Sequence, residues 1–321
     1  MKDTKIILYT LLGVSTLLLG ACEKQNLPTP EAVERLVEAR SEDYYTNLRA
    51  YKKSDHQIYY GWFGGSGAAG GPDIITVMDH IPDSVDIVSM WGGLPPLGSY
   101  NHKKMNETQR IKGTRFISVA LAFDTFLDRY AEQDFVTTFA GQGEARLIEG
   151  FKLVAENVAK QVNEYGLDGF DLDYEPSPRD LLYNNRNAEL LIIELGKVLG
   201  PQSGSGKLLV VDMFTERLPA TVVPYLDYFV VQAYSPQGGN VASLPNRFRQ
   251  IPGMPFEKCI AGENFETLWE TGGLLAAYAA WNPQGGKKGG IAAYLPNYEY
   301  ALNPEYRWTR AAIQIMNPAV R

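Results

Sequence analysis

The run Asp168-Gly-Phe-Asp171-Leu-Asp173-Tyr-Glu175, followed by Pro176, sets acidic side chains at alternate positions of a strand-like segment. Side chains two apart on a strand share a face. Asp171, Asp173 and Glu175 therefore point one way, while Phe170, Leu172 and Tyr174 point the other. That pattern suits a strand whose outer side packs against helices and whose inner side carries the acids. Burial and mutual repulsion raise the proton affinity of at least one such acid, which is how a carboxylic acid stays protonated near neutral pH for use as a general acid. A calcium loop is a poor alternative, because hard-cation ligands usually come from a flexible turn with Asn or Gly interleaved, not from an apolar strand.

Eight strand candidates, separated by helical or loop-like material, span most of the chain: Gln57–Trp62, Asp86–Trp91, Thr114–Leu121, Gly169–Glu175, Lys207–Met213, Tyr228–Ala233, Lys258–Gly262 and Gly290–Leu295. Most are continuous apolar or β-branched runs, as strands buried on both faces of a parallel sheet are. The segment from Glu144 to Val162 has apolar residues at helical spacing, and Asn187–Val198 supplies another helix after the fourth strand. Strand–helix alternation over this length predicts an α/β fold, a single (β/α)8 TIM barrel, with active-site residues at the carboxyl ends of the strands. Glu175 ends the fourth strand candidate. Asp168 lies on the opposite parity ahead of the run, so it reads, with Gly169, as part of the structural frame at the strand entry.

The acidic run resembles the D-G-x-D-x-D-x-E signature of glycoside hydrolase family 18, the chitinases and endo-β-N-acetylglucosaminidases, with no position missing. The resemblance implies substrate-assisted retaining hydrolysis, in which the sugar's own 2-acetamido carbonyl attacks the anomeric carbon and forms an oxazolinium ion. Glu175 would be the acid and then the base, Asp173 would orient the acetamido group, and Asp171 would share a proton or hydrogen bond with Asp173. Tyr234, in Gln232-Ala-Tyr234-Ser-Pro on the sixth strand, matches the tyrosine that meets the acetamido oxygen. A packed barrel aromatic is the plainer reading of the same residue. Gln-x-Tyr with no following Asp departs from the Met-x-Tyr-Asp usual in chitinases and looks more like the endo-β-N-acetylglucosaminidases of N-glycans. The third strand also lacks the chitinase Ser-x-Gly-Gly, and the eighth ends in Tyr294 where chitinases often place Trp.

Other substrate contacts are expected from Gln232, on the face of Tyr234, and from Trp62, Trp91 and Tyr294, which end strand candidates and could floor a sugar site or simply pack. Asn297, in the loop after the eighth strand, is a further polar candidate. The Gly-rich stretch from Gly61 to Pro72 lacks the Gly-Lys-Ser/Thr ending of a phosphate loop and reads as a pliable loop near the site. The resulting expectation is hydrolysis of the GlcNAc-β-1,4-GlcNAc core of N-linked glycans. Chitin oligomers or peptidoglycan strands form the second reading, and a non-enzymatic glycan-binding protein the third.

Lys2 and Lys5 precede an apolar stretch, Ile6–Leu19, that ends in Leu19-Gly20-Ala21-Cys22. Positive flank, short apolar core and small residues describe an export signal and not a membrane span. The ending resembles a bacterial lipobox, which implies removal of residues 1–21, lipid on Cys22 and a tether and lead-in over 22–52 before the catalytic domain of 53–321. The expected location is the cell envelope, anchored by lipid in the outer membrane. With Cys22 lipidated, Cys259 has no disulfide partner and reads as a small buried hydrophobe. His56, His80 and His102 form no ligand motif, so no metal and no cofactor are expected. A net charge of −7 argues against nucleic acid as a partner.

Overall fold

A computed structural model describes residues 40–64 and 78–318. The leader over 1–21, Cys22, the tether up to residue 39 and most of the Gly-rich stretch lie outside the described residues. From Ser41 onward the chain forms one unit.

Eight parallel strands close into a barrel in sequence order: β1 Ile58–Phe63, β2 Ile87–Met90, β3 Arg115–Leu121, β4 Gly169–Asp173, β5 Leu208–Met213, β6 Tyr228–Val231, β7 Cys259–Asn264 and β8 Gly290–Tyr294. Each falls on an expected apolar run, and β8 pairs with β1 to complete the ring. The side chains alternate as parity requires. Ile58, Tyr60, Trp62, Ile117, Val210, Val230 and Ile260 fill the barrel interior. Phe170, Leu172, Val211, Phe229 and Ala261 face outward into the larger core under the helices.

Helices α1 Glu42–Lys52, α2 Tyr100–Lys112, α3 Glu144–Glu164, α4 Asn185–Gly196 and α5 Arg307–Met316 are the longer helices around the sheet. Their ends follow from local chemistry. Ser41, Ser99 and Asn184 each accept a backbone N–H from the first turn of α1, α2 and α4 respectively. Gly113 ends α2 with φ 70°, a left-handed turn that leads directly into β3. α1 occupies the end of the segment expected as a lead-in. It is tied to the barrel by Arg49 Nη1 to Ile111 O at 2.8 Å and by Lys52 Nζ to Val85 O at 2.6 Å and Thr114 Oγ1 at 2.7 Å.

β4 is held at its entry by the two residues read as its frame. Asp168 Oδ2 accepts Phe116 N at 2.9 Å and Gln109 Nε2 at 2.7 Å. Gly169 lies so close to β5 that a Cβ there would come within 2.4 Å of Leu208 O and 2.7 Å of Leu208 Cβ. The strand therefore packs against its neighbour in a register that only glycine permits. Cys259 is buried, its thiol pushed up to about 12 chiefly by that burial.

Candidate active site

At the carboxyl end of the barrel a pocket of about 380 Å³ opens over β4, β5 and β6, with Asp173, Glu175, Asp212, Gln232 and Tyr234 in its wall. β4 stops at Asp173. Tyr174 N still reaches Asp212 O at 2.9 Å, and Pro176 then ends the extended run, which leaves Glu175 just beyond the last rung at the barrel mouth. Tyr174 faces outward, its hydroxyl donating to Leu182 O at 2.8 Å. The alternation read from the sequence holds through the motif.

Asp171 is the deepest of the acids and is fully buried. Its Oδ2 accepts Trp62 Nε1 at 2.9 Å, Ser89 Oγ at 3.1 Å and a short bond from the Tyr60 hydroxyl. Three donors on one oxygen favour the carboxylate, yet burial outweighs them and raises its proton affinity. Asp173, one layer up and 3 % exposed, is held well above the ordinary carboxyl range, first by burial and then by the charges of Glu175 and Asp171. Glu175 is half-buried and raised as well, by burial and by Glu216, against hydrogen bonds from Gln232 and Asp173 that pull it down.

A fourth acid, Asp212 near the end of β5, belongs to the same cluster and was not singled out in the sequence. It stands beside Asp173 in the β4–β5 register and is fully buried. Burial, Asp173 and Asp171 together push it well above the ordinary range. Asp171 Oδ1 and Asp212 Oδ2 have no donor among the described residues. Two dry carboxylate oxygens without donors are costly, and a proton retained within the cluster supplies one. Burial and crowding thus favour retention of a proton within the cluster.

Gln232 spans two of the acids, donating to Asp212 Oδ1 at 2.6 Å and Asp173 Oδ1 at 3.3 Å. The hydroxyl of half-buried Tyr234 is kept protonated by burial and by the charges of Asp212, Asp173 and Glu175. Its ring lies between Phe214, stacked with centroids 6.4 Å apart, and Tyr294 at 6.2 Å. Trp91 meets Tyr294 edge-on at 5.5 Å, and both line the pocket. Leu121, Phe123, Phe214 and Asn264 also line it and were missed as isolated apolar or amide residues with no motif around them.

Two expected contacts sit differently. Trp62 lines the pocket but is only 2 % exposed, and its indole N–H is committed to Asp171, so it is part of the site's floor and not an open platform. Asn297 is fully buried and is absent from the pocket wall. Its Oδ1 accepts Gly64 N at 3.2 Å and ties the loop after β8 to the end of β1.

Carboxylate oxygens of Asp173, Glu175 and Asp212 lie within 4.8 Å of one another, close enough to share a cation. The Gln232 amide N–H already points at two of them, and a donor there repels a cation. The arrangement suits proton storage and transfer.

The family model described as Glycoside hydrolase family 18, BT1044-like, matches residues 23–315. Endo-beta-N-acetylglucosaminidase F2 of Elizabethkingia meningoseptica is 30 % identical over an alignment 306 residues long that covers 85 % of this chain and 85 % of that protein. In fold, the chain is similar to an endo-beta-N-acetylglucosaminidase from Cordyceps militaris, with TM-score 0.65 and 23 % identity over 87 % of this chain and 97 % of the other. It is also similar to a chitinase from Bacteroides thetaiotaomicron, with TM-score 0.56 and 13 % identity over 82 % and 97 % of the two chains.

Proposed function

The chain belongs to glycoside hydrolase family 18, and from that premise we propose that it is a retaining endo-β-N-acetylglucosaminidase that cuts the GlcNAc-β-1,4-GlcNAc core of N-linked glycans. The observation that carries the reading is the convergence of Glu175, Asp173 and Tyr234 on one pocket whose buried acids retain protons. An ordinary retaining glycosidase needs a carboxylate nucleophile about 5 Å from its acid. Asp173 and Asp212 lie near enough to Glu175, but burial raises the proton affinity of both, which makes either a poor nucleophile. As the family resemblance implies, the substrate's acetamido oxygen is the nucleophile.

In this scheme Glu175 gives its proton to the glycosidic oxygen as the C1–O bond breaks. The acetamido carbonyl oxygen bonds to C1 from the other side, with the Tyr234 hydroxyl donating to that oxygen to position it. Asp173 hydrogen-bonds the acetamido N–H and faces the growing positive charge, while Asp171, whose Oδ1 has no donor among the described residues, takes up the proton that Asp173 sheds. Water then attacks C1, Glu175 removes its proton, and the acetamido group reforms with overall retention. The Elizabethkingia relative's name, an endo-beta-N-acetylglucosaminidase, supports an endo-acting enzyme on N-acetylglucosaminides, and Gln232-x-Tyr234 in place of Met-x-Tyr-Asp favours N-glycans over chitin.

Mass spectrometry of glycans released from high-mannose and complex glycoproteins, beside chitin oligomers, tests this for wild type and Glu175→Gln. The expected result is release of glycans ending in one GlcNAc, absent in the variant. Cleavage of chitin oligomers alone would move the assignment to the second reading, and silence on both would leave a binding protein.

We also propose that the lipobox-like segment is cleaved before Cys22 and that lipid on Cys22 anchors the barrel to the envelope, on the strength of the sequence pattern. Intact-mass measurement of the membrane fraction tests it. An unmodified Cys22 there would end the idea.

A further inference from the structure

A cavity larger than the catalytic pocket, of about 910 Å³, opens at the opposite, amino-terminal mouth of the barrel, between the last turn of α1 and the residues that enter β1, β2, β3, β6, β7 and β8. In a chain of net charge −7 its wall carries six cationic side chains against three carboxylates. The acids do not neutralise it. Asp86 is spent on His56 Nε2 at 3.0 Å and Tyr59 N at 2.8 Å. Asp55 and Glu257 are exposed and form no ion pair among the described residues.

Arg115 is the central feature. It is the first residue of β3, on the parity of Ile117, so its half-buried guanidinium caps the barrel's apolar interior. Among the described residues no side-chain hydrogen bond or ion pair engages it, and among the acids half-buried Asp227 feels its charge at longer range, although a guanidinium offers five donors. Lys52 and Lys288 stand at the wall with two of their three donors bound. Lys52 Nζ uses Val85 O and Thr114 Oγ1, and Lys288 Nζ uses Ala279 O at 3.0 Å and Trp281 O at 2.6 Å. Among the described residues each has one hydrogen without an acceptor. Lys53 and Lys287 add exposed ammonium groups at the rim, while Arg49 alone is ion-paired, to Glu42 at 2.7 Å.

We propose that this basal cavity binds a phosphate-bearing anion, held by the Arg115 guanidinium and the surrounding lysines. A fork of donors with several point charges approaching from different walls matches a tetrahedral dianion, which accepts bonds in many directions. A planar carboxylate would leave most of these donors unused. Burial lowers both Lys52 and Lys288 to about 8, so a bound dianion would also restore their full charge. The cavity is larger than an inorganic anion and admits a phosphoryl group attached to a larger molecule.

Titration calorimetry of the full chain with inorganic pyrophosphate, at fixed ionic strength, tests the proposal. Saturable binding is expected in wild type. Arg115→Met should weaken it by about tenfold or more, and Lys53→Ala/Lys287→Ala, both exposed and safe for folding, by a smaller factor. Glycan hydrolysis should be unchanged in both. Without anion, Arg115→Met should melt close to wild type, since the half-buried guanidinium makes no hydrogen bond or ion pair among the described residues and what is lost is its longer-range attraction to Asp227. No saturable binding at roughly millimolar pyrophosphate, or equal affinity in all three proteins, overturns the proposal. Sedimentation with phosphatidic acid against phosphatidylcholine vesicles then separates the sources. Retention on the former, lost in Arg115→Met, assigns the site to a lipid headgroup, and pyrophosphate binding without retention assigns it to a soluble phosphate compound.

Discussion

Gln232 donates one side-chain amide to two acids, Asp212 Oδ1 at 2.6 Å and Asp173 Oδ1 at 3.3 Å, which are themselves neighbours across the β4–β5 register. The amide fixes how far apart the two carboxyls sit: the Asp173 charge raises Asp212, while a hydrogen bond from Asp212 holds Asp173 below where burial, Glu175 and Asp171 would put it. Asp212 thus acts on the pocket through Asp173, as a positioning residue.

Asp212→Asn keeps an oxygen for Gln232 but replaces the carboxyl whose hydrogen bond lowers Asp173 with a weaker amide donor. The proton affinity of Asp173 should rise, since burial, Glu175 and Asp171 then hold it up with less opposition. The pH–rate profile should move to higher pH, and activity on its acid limb should drop by roughly tenfold for each unit of that shift. The profile measured beside wild type checks this. An unmoved profile with merely lower activity would make Asp212 a packing residue only.

Tyr234→Phe separates chemistry from packing at the aromatic wall. Phenylalanine retains the contacts with Phe214 and Tyr294, so the melting temperature should hold. Loss of the hydroxyl proposed to meet the acetamido oxygen should lower kcat by roughly a hundredfold, as for a donor to developing charge. Steady-state kinetics on a released-glycan assay decides it, and wild-type kcat would return Tyr234 to the barrel core.

Gly169→Ala tests the frame beneath the acids. The added methyl meets the Leu208 carbonyl and Cβ, neither of which can move without breaking the β4–β5 ladder. A loss of about 1–3 kcal/mol is expected from overpacking of this kind, read by urea unfolding. An unchanged midpoint would mean that β4 tolerates a wider spacing.

The strands were legible because each is a continuous apolar run, and the observed ends fall within two residues of the expected ones. Asp171, Asp173 and Glu175 were legible because alternation fixes their face whatever the neighbouring strands do. Asp212 was not. Leu208–Met213 contains a single acid, and only the register with β4 sets it against Asp173; register is a property of two strands and is written in neither alone. The same holds for Tyr60 and Ser89, whose hydroxyls meet Asp171 across two different strands. Asn297 misled for the converse reason. A polar residue in an aromatic loop reads as exposed, whereas here its side chain substitutes for a backbone acceptor of Gly64 N and is buried by doing so. The basal cavity leaves no local mark, since Lys52, Arg115 and Lys288 come from three distant segments.

Folding stability should fall as pH rises, and Glu299 carries a separable part of that trend. This buried side chain follows β8 and caps α5, accepting Trp308 N at 2.8 Å on one oxygen and Thr309 N at 3.1 Å on the other. Those bonds favour the carboxylate, but burial is the larger effect and lifts Glu299 to about 7. A carboxyl whose folded value exceeds its unfolded value stabilises the fold fully below the unfolded value, near 4.5, and loses that contribution as pH rises through about 7. The loss is on the order of 3 kcal/mol. Asp173 and Asp212, raised in the same direction, add to it. Melting temperature should therefore decline between about pH 5 and pH 8. In Glu299→Gln the decline should be shallower, because the substituted amide does not titrate, although the variant starts lower where the new N–H₂ meets a backbone donor. Slopes from thermal melts at a series of pH values are the measurement. A wild-type curve that is flat over this range, or a slope unchanged in Glu299→Gln, would show that the buried carboxyl is not the group whose proton the folded state retains.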